Sequence, residues 1–373
     1  MKGIGLRKRG ISVAFGLVLV LAFAASGARA QNGAAGKKAS EVFKNIQVLK
    51  DAPAEQLLPT MQFFEASLGV TCDFCHVEAR DKDEKMNKLM ARKMITMVRN
   101  INKDVFDSRR EVTCYTCHRG SADPPGTPRV ADADYRPWDP DSANGAEPPQ
   151  QRPPVPPPDQ IIEKYLQAIG GLDAVKKANT RVVKATVTDS IGRRFGMEIL
   201  SKAPEGSILI AHQATGDVVT ARTGDTGWFR AGNGAPRDIR PNELDDLRVQ
   251  DVLYFVTHVK QSLTDLQTRP GDKVFDRDTW QVRGTWGKTP VRLFFGRGTG
   301  NLLRVVYLTQ NAIGQNPTRI DFTDYREVNG VRFPFLWTIA RPLGYQTVRI
   351  DQVQNNAPVD DAKFARPQAK SAS

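Results

Sequence analysis

Two short segments, Cys72-Asp73-Phe74-Cys75-His76 and Cys114-Tyr115-Thr116-Cys117-His118, repeat one C-x-x-C-H pattern and contain all four cysteines of the chain. This pattern is the attachment signature of a c-type haem: each thiol forms a thioether with a vinyl group, and the histidine binds the iron. We therefore predict two covalent haems. The predicted attachment residues are Cys72, Cys75, Cys114 and Cys117, and the predicted proximal iron ligands are His76 and His118.

Paired cysteines have two other common uses besides haem attachment. A redox dithiol and a zinc site of four thiolates both use C-x-x-C pairs, but neither requires a histidine directly after the second cysteine. The 42 residues from Cys72 to Cys114 are also a long separation for a zinc knuckle. Haem is the preferred interpretation, with zinc or a disulfide as the alternative.

The first thirty residues have the pattern of a secretory signal peptide. Basic residues precede an uncharged, largely apolar run over residues 11–25, and Ala28-Arg29-Ala30 provides a small-residue cleavage site. We predict export to the periplasm, with the mature protein either free there or peripheral to the membrane. An uncleaved membrane anchor is the alternative, although the apolar run is short for a membrane span.

The charge pattern excludes nucleic-acid binding from the expected functions. Cleavage after residue 30 would lower the formal net charge from +12 to +7. The remaining basic residues are dispersed and form no Lys/Arg block of the kind that binds nucleic acid.

A proline-rich segment, residues 121–158, predicts an extended linker between two domains. It separates a predicted cytochrome domain, residues 31–120, from a predicted C-terminal domain, residues 159–366, which is followed by a short tail over 367–373. The expected fold is therefore multidomain.

The predicted cytochrome domain is α-helical. Apolar spacing and helix-terminal residues predict helices over 40–50, 59–69 and 83–106. An iron that only carries electrons needs a sixth ligand, and methionine sulfur is a suitable one. Met61 is the candidate for the first haem, and Met94 or Met97 for the second. Core packing is the alternative role for each of them.

The C-terminal domain is predicted to be strand-rich. A helix over 159–178, interrupted by Gly170-Gly171, precedes about ten strand-like runs with turns such as Asn329-Gly330, and another helix is expected over 241–261. This pattern predicts an antiparallel α+β domain that resembles the half-barrel of periplasmic, LolA-like lipoprotein carriers. The glycine-rich segment 296–300 is predicted to be a hairpin turn and not a phosphate-binding loop.

Segments around the two boxes, residues 60–72, 97–102 and 112–120, resemble the cytochrome subunit of photosynthetic reaction centres. In that family each haem site consists of a helix, a turn and a C-x-x-C-H box, and the helix usually supplies a methionine; Met61 occupies this position. The resemblance implies electron transport, and, for members that serve reaction centres, a membrane-bound complex and photosynthesis. Those members carry four haems, and one haem takes a distant histidine. This chain has two boxes, and its other histidines, His212 and His258, follow the linker.

The combined expectation is a non-enzymatic, two-haem electron carrier that exchanges electrons with redox protein partners. A dihaem peroxidase with one open iron is an alternative, because the sixth ligand of the second haem is not fixed by the sequence. A further alternative is an envelope module whose half-barrel binds a lipid or lipoprotein.

Overall fold

The computed structural model describes residues 36–124 and 154–367, except 241–242, 245–246, 249–250 and 288. The predicted signal peptide, most of the predicted linker and nearly all of the tail lie outside these residues. Among the described residues, no helix has the length and apolar composition needed to cross a membrane.

The N-terminal part is helical, as predicted. Its helices are α1 (Ala39–Val42), α2 (Leu57–Leu68), α3 (Cys72–Cys75), α4 (Met86–Phe106) and α5 (Cys114–His118), with a 3₁₀ turn at Ala54–Gln56. Helix α2 ends at Gly69, whose φ of 66° is the left-handed conformation that favours glycine after a helix.

The helix predicted over 40–50 is wrong beyond its first turn, because α1 ends at Val42. Asn45 has a φ of 57°, and its side-chain amide donates to Asp83 Oδ1 over 2.9 Å, so the chain turns here instead of continuing the helix. Phe43, Ile46 and Leu49 nevertheless pack in one apolar cluster. The apolar spacing therefore identified buried residues but not their local conformation.

The long helix begins at Met86, three residues after the predicted start. Asp83 lies before the helix, and its carboxylate contacts Arg92 Nη1 at 2.8 Å and Lys88 Nζ at 3.0 Å. Hydrogen bonds from these groups and Asn45, that of Arg92 foremost, hold the pKa of Asp83 well below its usual range. The acidic residue thus ties the preceding loop to the helix.

The C-terminal part contains one antiparallel sheet of thirteen strands within the described residues. In chain order, β1 to β13 are Thr180–Asp189, Arg194–Lys202, Gly206–Gln213, Gly216–Thr223, Thr226–Ala231, Arg237–Asp238, Leu263–Val274, Arg277–Trp286, Thr289–Gly296, Leu302–Gln310, Gln315–Val328, Val331–Arg341 and Gly344–Asn355. The helices that accompany the sheet include α6 (Pro158–Ala168), α7 (Leu172–Lys176) and α8 (Val252–Ser262). The predicted fold class, a helical domain followed by an antiparallel α+β domain, is confirmed.

The sheet consists of two meanders that meet at its centre. Strands β1 to β6 run outward to one edge, and after α8 the chain starts again with β7 at the opposite edge and returns strand by strand to β13. Strand β13 pairs with β1, for example at Val187 and Val348. Asn329 and Gly330 have φ values of 52° and 76° at the turn between β11 and β12, which matches the predicted tight hairpin.

One face of the sheet is covered by helices and the other, in part, by the C-terminal segment. Ile162, Tyr165 and Leu166 of α6 are at most 3% exposed and pack in a large apolar cluster with residues from both meanders. On the other face, Trp228 belongs to a second, smaller apolar cluster, and its indole N–H donates to the carbonyl of Phe364 over 2.9 Å. Gly170-Gly171 separates α6 from α7, as the sequence predicted.

The two parts of the chain contact each other directly. The turn between β10 and β11, residues 311–314, lies against α2. Ala312 and Ile313 pack against the same apolar cluster as Leu49, Leu57 and Ile95 of the helical part. We refer to residues 311–314 as the docking turn.

Candidate haem-binding site

Each C-x-x-C-H box is a single helical turn preceded by an extended threonine. Thr71 and Thr113 have ψ values of 169° and 174°, and α3 and α5 start at the cysteines that follow them. Two cysteines three residues apart lie on the same side of one turn, so each box presents its two sulfurs in one direction. All four thiols are free, and Cys72, Cys75 and Cys114 are half-buried.

The ring of each box histidine is oriented by a backbone carbonyl. Nδ1 of His76 is 3.2 Å from the carbonyl oxygen of Arg80, and Nδ1 of His118 is 2.9 Å from that of Ser121. Because a carbonyl can only accept, Nδ1 donates the hydrogen in both rings, and in a neutral ring Nε2 then has the lone pair that binds a metal. Metal-bound histidines are typically held in this way, with one nitrogen donating to a carbonyl and the other free for the metal. Thiols and rings therefore fit covalent haem with a proximal histidine.

Burial shifts the pKa of several groups in the boxes. It raises the pKa of the Cys114 thiol to about 11 and raises that of Cys75. Burial and the hydrogen bond donated to Glu65 Oε1, at 2.9 Å, raise the pKa of Cys72. Burial lowers the pKa of His76, which favours the neutral ring that a metal requires.

The first box is held by the N-terminal end of α4. The side-chain amide of Asn87 donates to the Phe74 carbonyl over 3.1 Å, and Lys85 Nζ donates to the Asp73 carbonyl. Lys88 Nζ lies 2.9 Å from the Arg80 carbonyl, the same oxygen that accepts from His76. A cation whose side chain is 11% exposed therefore shares the acceptor that orients the predicted proximal ligand.

The second box is held near the C-terminal end of α4 by Asn102, which is 9% exposed. Its Nδ2 donates to the Val112 carbonyl over 2.7 Å. Its Oδ1 accepts from the backbone N–H groups of Glu111 and Val112 at 3.1 and 2.9 Å. One buried amide thus fixes the strand-like segment that enters α5.

The two boxes are also joined through their backbones. The N–H of Gly120, just after the second box, donates to the Ser67 carbonyl at the end of α2 over 2.8 Å. A Cβ on Gly69 would lie 2.1 Å from the Gly120 carbonyl oxygen, so only glycine allows this approach. The first and second boxes therefore form one structural unit.

The candidate methionine ligands lie on α2 and α4. Met61 is half-buried and packs against the apolar cluster that contains Leu57 and Ile95. Met94 is half-buried and Met97 is 42% exposed, and Met86 and Met90 on the same helix are 72% and 50% exposed. The coordination of iron by Met61, Met94 or Met97 stays a prediction. Exposed apolar side chains beside the two boxes provide the kind of surface that a haem covers.

Within the part of the chain that the structure describes, no three His, Cys, Asp or Glu side chains gather as a metal-ion site. In each box the two thiols are followed by their own histidine, whereas a four-thiolate zinc site would need all four sulfurs to bind one ion. The remaining histidines are in the sheet domain, where His212 Nδ1 lies 2.9 Å from Asp217 Oδ1.

A cavity of about 1110 Å³ lies between the second box, α2 and the docking turn. Its lining includes Tyr115 and Arg119 from the box region, Phe63 from α2, and Gly314 and Gln315 from the sheet domain. The lining does not include the thiols or the histidine of the box. The cavity therefore borders α5 at Tyr115, away from the thiols and the histidine.

Sequence reasoning missed the residues that hold the boxes in place, notably Asn87, Lys88 and Asn102. At the boxes their side chains contact backbone carbonyls and N–H groups, which carry no residue-type signal. Asn102 had one recognisable feature, because asparagine is a weak helix former placed here in an otherwise regular helix.

The boxes and their oriented histidines have the arrangement expected of c-type haem attachment sites, and the helical part that carries them is joined to a sheet domain. Residues 20–186 match the sequence profile of the family described as photosynthetic reaction centre cytochrome C subunit. Over 94 residues the chain is 38% identical to the photosynthetic reaction center cytochrome c subunit of Thermochromatium tepidum, a match that covers 24% of this chain and 23% of the relative. Over 93 residues it is 32% identical to the subunit of Rubrivivax gelatinosus, covering 24% and 25%. The N-terminal part is therefore similar to this family, and the chain spans about a quarter of each relative's length.

The sheet domain has distant solved neighbours. A LolA superfamily protein from Nitrosomonas europaea aligns over 57% of this chain and 98% of its own, with 12% identity and a TM-score of 0.41. This alignment adds no information on the strands of the sheet domain.

Proposed function

We propose that the chain is a dihaem c-type cytochrome of the cell envelope that carries electrons between redox partners. One haem would be attached at Cys72 and Cys75 and the other at Cys114 and Cys117. The observation that carries this proposal is the repeated geometry of the boxes, in which each thiol pair is followed by a histidine whose Nδ1–H is bound to a carbonyl.

The residues of the chain have distinct roles in this proposal. Each thiol adds across a vinyl double bond, so that sulfur bonds to one carbon and a hydrogen to the other, and no oxidant is needed. His76 and His118 supply Nε2 as proximal ligands, while Met61 and either Met94 or Met97 supply sulfur as sixth ligands. The bound haem iron supplies a one-electron ferric/ferrous couple. Because no substrate bond is made or broken, the protein would not be an enzyme.

The test is a haem count on the full chain, purified from a host that exports and matures c-type cytochromes. A pyridine haemochrome assay should give two haems per chain, and the colour should remain after acid–acetone extraction. Replacing Cys72 and Cys75 by alanine should leave one haem, and replacing Cys114 and Cys117 should do the same. A colourless protein, or zinc in place of iron by metal analysis, would refute the proposal.

Carbon monoxide distinguishes the electron carrier from the peroxidase alternative. Two irons that each hold a methionine should bind little carbon monoxide when reduced, whereas a five-coordinate iron should bind it readily. Ready binding at one haem per chain would favour the peroxidase.

Binding of a lipid or lipoprotein by the sheet domain stays a prediction. The face of the sheet that would form a groove is packed with side chains of α6 and α8, including Ile162, Tyr165 and Phe255. Native mass spectrometry of the purified chain would detect a retained lipid, and its repeated absence would count against this role.

A further inference from the structure

We propose that the docking turn of the sheet domain is a functional part of the cytochrome domain, because it positions the helix that carries Met61. The sheet domain would thereby control the methionine ligation and the potential of the haem that Met61 serves. This inference rests on the proposed function, and in particular on Met61 as a ligand.

The turn contacts α2 at the residues on both sides of Met61. Thr60 is fully buried, and its Oγ1 accepts from the N–H of Ala312 over 3.1 Å. The side-chain amide of Asn316 donates to the Pro59 carbonyl over 3.1 Å. Phe63 is 9% exposed, and its ring lies so close to Gly314 that a Cβ there would be 2.9 Å from the nearest ring carbon.

The packing around Met61 contains side chains from both domains. Met61 and Ile313 pack against one apolar cluster, whose buried members include Leu57 and Ile95. A third hydrogen bond between the two domains has its donor in the helical part, because Arg110 Nη1 donates to the carbonyl of Asn311 over 3.0 Å. The cluster that supports the predicted ligand is therefore incomplete without the sheet domain.

The turn is itself preorganised for this contact. Asn311 is fully buried, and its Oδ1 accepts from the N–H groups of Ile313 and Gly314 at 3.0 and 2.9 Å. This side chain closes the turn locally and fixes the N–H of Ala312 and the side chain of Ile313 in front of α2.

A change in the turn would be transmitted along a rigid element. Helix α2 has twelve residues and is fixed at its other end by the hydrogen bond from Gly120 to Ser67. Loosening the end that carries Pro59 and Thr60 would let that end move relative to the boxes. A haem iron held by the Met61 sulfur would respond to such movement, since a small displacement of a ligand changes its coordination.

The experiment uses full-length holoprotein with Ile313→Ala, Thr60→Val and Thr60→Ser, each compared with Met61→Ala. The measurements are the methionine–iron charge-transfer band and the midpoint potential of each haem. The band lost in Met61→Ala defines the haem concerned. We expect Ile313→Ala and Thr60→Val to reduce that band at least twofold and to lower the same potential, and Thr60→Ser, which keeps the hydroxyl, to restore both. The control is Ile191→Ala, at another hairpin of the same sheet, where the side chain is 54% exposed.

The outcomes separate the two proposals. If Met61→Ala removes the band while Ile313→Ala and Thr60→Val leave the band and potential unchanged, the inference is overturned and the proposed function stands. If Met61→Ala itself changes nothing, Met61 is not a ligand and the inference is overturned with it. If two haems per chain are absent, the proposed function is overturned on its own measurement.

Discussion

The contact between Gly69 and Gly120 allows the junction of the two boxes to be tested by one added methyl group. Gly69→Ala places a Cβ 2.1 Å from the Gly120 carbonyl oxygen, at a residue whose φ is already 66°. Gly120→Ala is a matched control on the other side of the same contact. Its φ is 89°, and a Cβ there would have no heavy atom within 4 Å.

The magnitude of each effect follows from these two geometries. A left-handed conformation costs an alanine about 1–2 kcal/mol, which applies to both variants. In Gly69→Ala the backbones must also separate by about 1 Å to restore a normal carbon–oxygen contact. This movement breaks the hydrogen bond from the Gly120 N–H to the Ser67 carbonyl, which contributes about 1 kcal/mol. We expect Gly69→Ala to lose roughly 2–3 kcal/mol of unfolding free energy and Gly120→Ala roughly 1–2 kcal/mol.

Denaturant unfolding of the holoprotein, followed by Soret absorbance, measures both values. The haem count should stay at two in each variant, so that any difference reports the polypeptide junction. Equal destabilisation by the two substitutions would mean that the close approach of Gly69 to Gly120 does not exist in solution.

Three further predictions concern residues of the loops and helix that hold the boxes. Asn102→Ala leaves the N–H of Val112 without its acceptor and the carbonyl of Val112 without its donor, whereas the N–H of Glu111 keeps the Arg109 carbonyl. The substitution should destabilise the chain by about 2–4 kcal/mol and perturb the spectrum of the second haem and not the first; equal effects on both haems would contradict this. Lys88→Gln removes a cation from the carbonyl that orients His76. The potential of the first haem should therefore fall by roughly 40 mV, the equivalent of about 1 kcal/mol. The control is Lys93→Gln, at an exposed residue of the same helix, which should leave the potential measured by voltammetry unchanged. Asp83 has a lowered pKa in the folded chain, so the stability that its carboxylate contributes is present above the ordinary pKa of 3.8 and is lost as the pH falls below that value. Asp83→Asn should therefore lower the resistance to urea at pH 7 but not at strongly acidic pH. A difference between variant and parent that does not depend on pH would refute the ion-pair explanation.

Much of the local structure could be predicted because the sequence specifies it at short range. Helix α2 ends at Gly69 because a glycine supplies its left-handed terminal residue, and the β11–β12 turn forms at Asn329-Gly330 because both residues tolerate positive φ. The helix predicted over 40–50 failed where tertiary contacts of Asn45 outweighed the apolar spacing. Strand β7 is difficult to predict from the sequence because it is polar, contains Pro270 and lies at an edge of the sheet.

The candidate site could be predicted in its chemistry but not in its assembly. The cysteines and histidines follow a fixed spacing, whereas their supports depend on residues distant in sequence. Thr60 and Ala312 are 252 positions apart, and no local pattern pairs them. One signal was available, because Ile313 is an apolar residue in a hairpin turn, where polar residues and glycine are usual. The signal is not sufficient by itself, because Ile313 packs against the helical part whereas Ile191, in another hairpin turn of the same sheet, is 54% exposed.

If the chain carries electrons as proposed, the short length of the box helices explains why these supports matter. Helices α3 and α5 have four and five residues, far fewer than an isolated helix needs for stability in water. Their positions must therefore be set by neighbouring elements: Asn87 and Asn102 on α4, the end of α2, and through α2 the docking turn. Because an electron carrier changes charge at the iron without making bonds, its potential depends on how firmly the ligands and surrounding dipoles are held. A sheet domain fixed against α2 can then influence the potential without contributing a ligand, which gives a physical reason for joining these two domains in one chain.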